Sequence, residues 1–475
     1  MRKPTIGLEV HVQLKTRSKM FCSCPVEFKA EPNTHVCPVC LGLPGALPVL
    51  NRQAVEFTIA VALALHCEIQ PFSQFHRKNY FYPDLPKGYQ ISQYDLPFSR
   101  NGYLMIETEA GEKKIGIQRV HMEEDTAKMI HGESISRTLG LGYSLVDFNR
   151  SGVPLLEIVS NPDISSPQEA SLYLMELRSI LRTLGVSSAN MEEGALRCDV
   201  NISLDGGTRT EIKNLNSFHS VRKALEYEAK RQEEVLDRGE KMIQETRHYD
   251  ERTGVTISMR AKEEAEDYRY FPEPDLVPLK VHPAWIEKVK SRMPELPEEK
   301  CQRYKSLGLF PAEAATIANN PELAAFFDSC LSLKAPGKEV ANWLLSEVLK
   351  FLNSRNLSIA DVPLTPEKLV EFLNLMKEGT ISSKIGKTLI EEMLATGEET
   401  GAIIVRKGLA QISDPELIKK WAQEVLAQNP EQVKEYQQGK EQVFGFFVGK
   451  IMKLSGGKAN PKVLNRILRE LLSSS

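Results

Sequence analysis

The stretch Ile6-Gly-Leu-Glu-Val-His-Val-Gln-Leu14 decides the class of the N-terminal fold: Ile6, Leu8, Val10, Val12 and Leu14 alternate without a break against Gly7, Glu9, His11 and Gln13. A period of two belongs to a β-strand, so the first set enters a core while Glu9 and His11 stand side by side on the opposite face. The pattern returns in Leu196, Cys198, Val200, Ile202 and Leu204 against Arg197, Asp199, Asn201 and Ser203. Both strands carry acids on the polar face.

Outward from these strands, alternation recurs between Gly- and Pro-rich turns from residue 5 to about residue 215. A helix interrupts at Ser166-Pro-Gln-Glu169, a capping box with Pro at the first helical position, and runs to Gly185. A second helix is expected from Val221 to Gly239, a strand from Val255 to Met259, and irregular backbone from Tyr268 to Asp275. After about residue 292 the strand signals give way to Pro-started helical segments such as Thr365-Pro366 to Gly379 and Ser413 to Asn429. The expected fold class is therefore α+β. An antiparallel sheet with helices fills 1–292, an all-α segment fills 293–406, and an all-α tail, 407–475, follows a break at Arg406-Lys-Gly408.

A chain of 475 residues is long for one core, and 41% hydrophobic with 26% charged residues is ordinary for a folded chain, which excludes wholesale disorder. With 60 Lys+Arg against 63 Asp+Glu, a net of −3, the surface is no uniformly cationic coat for nucleic acid. The charge is segregated, however: residues 407–475 hold 11 Lys+Arg and 7 Asp+Glu, and the remainder is acidic. Met1 to Val12 lacks the apolar core of a signal peptide, and the apolar run Phe57 to Cys67 is shorter than the ~20 residues that span a bilayer. A cytoplasmic protein is expected, with its eight cysteines serving as thiols or metal ligands.

Cys22-Ser-Cys24 is followed, after twelve residues, by Cys37-Pro-Val-Cys40-Leu-Gly42. Two close pairs of thiolates suit a tetrahedral structural Zn²⁺; four unligated buried cysteines are the alternative reading. Acids form the second signal: Glu9 with His11, Glu123-Glu124-Asp125 after His121, Asp199 with Asn201, and Glu211 with Lys213. Taken singly, each reads as a solvated surface acid. Gathered on one sheet they would repel unless a cation offset them, and hard oxygen ligands favour Mg²⁺. Mg²⁺ held by few carboxylates usually takes phosphates as its other ligands, which points to a nucleotide. Arg77, Lys78, Lys87, Arg150 and Lys213 could meet those phosphates. Familiar nucleotide motifs fail: Gly386-Lys-Thr388 lacks the glycine of a P-loop at Ile381, and Gly140-Leu-Gly142 runs on to Leu145.

Two further stretches have open readings. Lys78 to Tyr89 interleaves aromatics with bases, as a base-stacking loop or a packed Pro-rich turn would. In the tail, Val443 to Leu472 reads as two helices broken at Gly456-Gly457, with Val463, Leu464, Ile467, Leu468 and Leu471 on one stripe. Lys450, Lys453, Lys458, Lys462, Arg466 and Arg469 then face outward, as a polyanion-binding surface or a solvated basic face.

Long stretches of the chain are similar to the B subunits of heterotrimeric tRNA-dependent amidotransferases. They include Gly7 to Gln13, Cys37-Pro-Val-Cys-Leu-Gly-Leu-Pro-Gly-Ala46, Tyr80 to Tyr94, Asn149-Arg-Ser-Gly-Val-Pro-Leu-Leu-Glu157, Glu211 to Ser217 and Gly445-Phe-Phe-Val-Gly449. The resemblance implies a cradle domain with a kinase site, a helical linker and a tail that touches the body of the tRNA. It implies Mg²⁺ on His11 and Glu124, with Glu9, Glu123 and Glu211 nearby, and zinc on Cys22, Cys24, Cys37 and Cys40. It implies a carbon–nitrogen ligase that phosphorylates the side-chain carboxylate of Glu-tRNA(Gln) or Asp-tRNA(Asn) with ATP and amidates it. Ammonia would come from a glutaminase A subunit clasped by a small C subunit. Two departures from the family pattern are visible: a short connection from Asn201 to Glu211, and Asn161 where Glu is expected. The competing reading is a non-catalytic tRNA-binding adaptor, and a third is a metal-dependent hydrolase.

Overall fold

The computed structural model describes residues 2–27, 29–130, 144–261, 268–408, 414–456 and 459–473. Gly140–Gly142, Ser413, Gly457 and Lys458 lie outside the described residues. Two compact units divide the chain, Met1–Pro297 and Glu298–Ser475.

The first unit is built on a nine-stranded sheet. In chain order its strands are β1 (Pro4–Gln13), β2 (Glu68–Ile69), β3 (Ser99–Thr108), β4 (Gly111–Glu124), β5 (Pro154–Ser160), β6 (Leu196–Leu204), β7 (Thr210–Lys213), β8 (Glu245–Asp250) and β9 (Val255–Ala261). They lie in the order β9-β8-β7-β6-β1-β5-β4-β3-β2, which puts the strand first read from the sequence at the centre. Neighbours are antiparallel except β7 and β8, which run parallel because helix α3 (Phe218–Asp237) carries the chain back between them. The other seven pairings of the sheet are antiparallel, as expected.

One face of the sheet is apolar by parity. Leu8, Val10, Val12, Val120, Met122, Leu156, Ile158, Val200 and Ile202 are all buried there. Helices α1 (Arg52–Ala64), α2 (Pro167–Thr183) and α3 bring Ile59, Tyr173, Leu177 and Leu225 into the same core. Helix α2 begins where its capping signal predicts: Ser166 accepts a hydrogen bond from the Glu169 amide at 3.1 Å, and Pro167 needs no partner for its nitrogen. The Glu169 carboxylate reaches back to the amide of Ser165 at 2.7 Å, one residue earlier than in a standard capping box. A separate three-stranded sheet, of His76–Asn79, Tyr89–Ser92 and Phe271–Pro272, stands beside the large one within this unit.

The second unit is helical. It holds one apolar cluster within residues 304–404 and another within residues 418–472. Pro366–Lys377 and Pro415–Ala427 are helices, capped by Thr365 and Asp414. Gly386 lies inside helix Ser383–Thr396, where an added Cβ would come within 3.1 Å of Trp343, Met376 and Phe372; that glycine permits close packing and cradles no phosphate. On the last helix, Pro461–Ser473, Leu464, Ile467, Leu468 and Leu472 are buried, with Val463 and Leu471 at the margin. No helix among the described residues is long and apolar enough to cross a membrane.

Candidate active site

The polar face of the sheet is assembled by register. Antiparallel pairing sets His11 of β1 opposite Glu157 of β5 and Arg197 of β6, and Glu9 opposite Asp199. Glu157 in turn lies opposite His121 of β4, Leu155 opposite Glu123, and Asn201 opposite Glu211 of β7. Five strands thus bring their charged side chains to the floor of one cavity of about 460 Å³, which Lys78, Ser92 and Lys213 also line.

At the centre, His11 Nε2 lies 3.5 Å from Glu123 Oε1 and 3.5 Å from Glu157 Oε2, and His121 Nε2 lies 3.2 Å from the same Glu157 oxygen. One ligand atom each from His11, Glu123 and Glu157 falls within 4.8 Å of the others. Burial pulls the His11 imidazolium down, but its contact with Glu157 and the charges of Glu123 and Glu157 outweigh this and lift it to about 9. Burial pushes Glu157 up, yet His121 and His11 hold it well below the usual carboxylate range. Glu9, which accepts from Asn201 Nδ2 at 3.3 Å, is raised by burial and then by the charges of Glu157, Asp199 and Glu211. An imidazole among several partly desolvated carboxylates is a donor set that fits a divalent cation such as Mg²⁺, whose charge would relieve the repulsion Glu9 feels.

The expected ligands divide. Glu124 does not join His11: its parity turns it away from Glu123, and its buried carboxylate pairs with Lys87 Nζ and accepts from the Ile91 amide at 2.9 Å. Glu123 and Glu157 stand where Glu124 was expected. Glu211 lines the cavity, with its carboxylate accepting from Thr246 Oγ1 at 2.7 Å and facing Lys213 at 3.4 Å. Lys213 also bonds Asp199 at 3.0 Å. Of the expected phosphate-binding residues, Lys78 and Lys213 reach the cavity. Lys87 is committed to Glu124, and Arg150 donates to the carbonyls of Thr126 and Ala127 at 3.0 and 2.7 Å.

The four cysteines converge. Cys22, Cys24, Cys37 and Cys40 place their sulfurs within 4.8 Å of one another, and Cys37 and Cys40 are 3.9 Å apart, close to the ~3.8 Å edge of a tetrahedron with ~2.3 Å Zn–S bonds. The buried Lys19 ammonium donates to Cys40 Sγ at 3.5 Å. A hydrogen bond from Cys22, then the Cys37 amide and Lys19, draw the Cys40 thiol down to about 4, while Cys22 is pushed up. Four sulfurs held this closely fit Zn²⁺. In the tail, Lys453, Lys462 and Arg466 are exposed, Arg466 with Glu470 at 4.0 Å, while Lys450 donates to Asn429 Oδ1 at 2.8 Å and lies over the Phe446 ring.

Residues 4–287 match the family described as the GatB/GatE catalytic domain, and residues 325–472 match the family described as the GatB domain. Over 474 residues the chain is 53% identical to the B subunit of the aspartyl/glutamyl-tRNA(Asn/Gln) amidotransferase of Moorella thermoacetica, covering 98% of this chain and 99% of that one. It is 53% identical to the corresponding B subunit of Thermodesulfovibrio yellowstonii, over 98% of each chain, and 51% identical to that of Persephonella marina, over 99% of each. The chain belongs to the family of amidotransferase B subunits. Within this member, the residue that periodicity did not single out is Glu157; Arg197 and His121 are placed beside the acids by the sequence but given no role in the site. Glu157 had a signal: it is the one acid in the apolar strand Pro154-Leu-Leu-Glu-Ile-Val-Ser160.

Proposed function

We propose that this B subunit of an aspartyl/glutamyl-tRNA amidotransferase carries the step in which ATP phosphorylates the side-chain carboxylate of tRNA-bound Glu or Asp, and the amidation that follows. The observation that supports the reading is the convergence of His11, Glu123 and Glu157 on the floor of a cavity that Lys78 and Lys213 also line. A carboxylate repels nucleophiles and has no adequate leaving group, so it must become an acyl phosphate before ammonia can displace phosphate. The substrate carboxylate is itself the nucleophile towards ATP's γ-phosphorus and needs no general base. The protein's part is to position the reactants and offset charge.

His11, Glu123 and Glu157 would hold Mg²⁺, with Glu9 and Glu211 beside them, and Mg²⁺ bound there would neutralise phosphate oxygens. Lys78 is held charged against burial by Glu123 and Glu157, and Lys213 is held charged by Asp199 and Glu211. Both can draw the phosphates of ATP towards the acids. The cysteine cluster is assigned a structural Zn²⁺ that ties the 22–40 loops together. Ammonia is assigned to a glutaminase A subunit, held by a C subunit. Segments 1–292, 293–406 and 407–475 are assigned to catalysis, linkage and tRNA contact, the last through Lys450, Lys453, Lys458, Lys462 and Arg466.

The test is Glu157→Gln in the assembled heterotrimer, assayed for ADP release dependent on Glu-tRNA(Gln) and, separately, on Asp-tRNA(Asn). Release should fall at least about 100-fold, as for loss of a preorganised charge at a phosphoryl-transfer site, with tRNA affinity kept. Unchanged ADP release and amidation would instead favour the tRNA-binding adaptor.

A further inference from the structure

The phosphoryl-transfer reading makes no use of four tyrosines that line the same cavity: Tyr80, Tyr94, Tyr268 and Tyr270. Tyr94 and Tyr270 stack with centroids 4.2 Å apart and planes 7° apart. Tyr268 meets Tyr270 edge-on at 6.1 Å, and Tyr80 meets Tyr268 edge-on at 6.1 Å. An aromatic cluster that served only packing would be buried, yet Tyr94 is 58% exposed.

The backbone is spent on holding this wall. Arg269, between two of the tyrosines, sits at φ 47°, in the left-handed region that side chains with a Cβ disfavour. Such a conformation persists only where its surroundings fix it. Asn79 does so: its amide donates to the Tyr268 carbonyl at 3.0 Å, and its side chain donates to the Tyr268 and Arg269 carbonyls at 3.2 and 2.8 Å. Lys78, next in the chain to Asn79, places its ammonium 4.9 Å from the Tyr268 ring centroid, in the field of Glu123 and Glu157. Stacked rings, then a cation, then a group of acids suited to a divalent ion form a sequence that suits a base, its phosphates and their counter-ion.

We propose that the Tyr94–Tyr270 pair is a stacking shelf for adenine. The inference rests on the phosphoryl-transfer reading, under which the reaction brings two adenines to this cavity: that of ATP and that of the 3′-terminal adenosine of the misacylated tRNA. The shelf takes one of them.

The test uses the assembled heterotrimer carrying Tyr94→Ala, Tyr94→Leu or Tyr94→Phe. Initial ADP release is measured against ATP at saturating misacylated tRNA, then against the tRNA at saturating ATP. Loss of one base stack is expected to raise one KM about tenfold in the Ala and Leu variants, with kcat within about twofold, and Phe should restore it. A rise in the KM for ATP assigns the shelf to the nucleotide, and a rise in the KM for tRNA assigns it to the terminal adenosine. Both KM values unchanged, or a fall in kcat alone, overturns the shelf. Equilibrium binding of ADP, and of tRNA with and without its terminal adenosine, separates the two readings. A wild-type complex that binds ADP yet releases none under turnover overturns phosphoryl transfer alone. A Tyr94→Ala complex that binds ADP and intact tRNA as tightly as wild type overturns the shelf alone.

Discussion

Consecutive side chains of a strand leave on opposite faces, so Glu123 reaches the cavity beside His11 while Glu124, one residue on, turns towards Lys87 and the Ile91 amide. The same parity, carried through His121-Met-Glu-Glu124, was enough to tell the two glutamates apart, because Met122 marks the apolar side. What the sequence could not carry is which strand lies next to β1. Glu157 reaches His11 only through a pairing between residues 146 apart in the chain, and period-two alternation says nothing of partners. The placement of Glu124 has an energetic consequence. Both it and Lys87 are almost wholly buried, so Glu124→Gln leaves an ammonium desolvated without its counter-charge. Breaking such a pair from one side costs about 3 kcal/mol. Denaturant unfolding of the isolated chain should show that loss, and a variant as stable as wild type would mean that Lys87 finds another carboxylate.

At the scale of elements, local signals served well where the local chain decides. The Ser166 cap and Pro167 start helix α2 where the sequence placed it, and Thr365 and Asp414 cap helices in the second unit. They served poorly where a partner decides: the parallel pairing of β7 with β8 and the short strand Phe271–Pro272 depend on distant segments. In the helical unit an ion-pair cluster joins Pro297–Ser306 to Pro321–Ser332. Asp328 accepts from Arg303 at 2.9 and 3.1 Å, from Tyr304 at 3.0 Å and from Lys300 at 3.3 Å. Burial raises the Asp328 carboxyl, but Arg303, Lys300 and Tyr304 outweigh it and leave it below its ordinary value. A carboxyl depressed by folding contributes stability above its unfolded value, near ~3.9, and loses it as pH falls through the folded value. Asp328→Asn should therefore cost about 1 kcal/mol at pH 7, since the pair is partly solvated, and should flatten the loss of stability below about pH 4. Urea midpoints from about pH 2.5 to pH 7 measure both, and parallel curves for variant and wild type would remove the ion pair as a source of acid sensitivity.

Over the whole molecule, the charge imbalance read from composition is the feature whose use depends on a partner. The chain is net −3, yet residues 407–475 carry a positive surplus, and the helix Pro461–Ser473 buries its apolar stripe while Lys462 and Arg466 keep contact with solvent, as does Lys453 on the helix before it. A solvated basic face and a polyanion-binding face look alike in the free protein and differ in how binding responds to salt. Each lysine that neutralises a phosphate releases a condensed counter-ion, which adds about one to the magnitude of the slope of log affinity against log salt. For the heterotrimer with Lys453→Ala and Lys462→Ala combined, tRNA affinity should fall and the salt slope should become shallower by about two. The loss should be the same for cognate and non-cognate tRNA bodies, because phosphate contacts read no sequence. Titrations from about 50 to about 300 mM salt decide it. An unchanged slope would leave the tail's lysines as a solvated face.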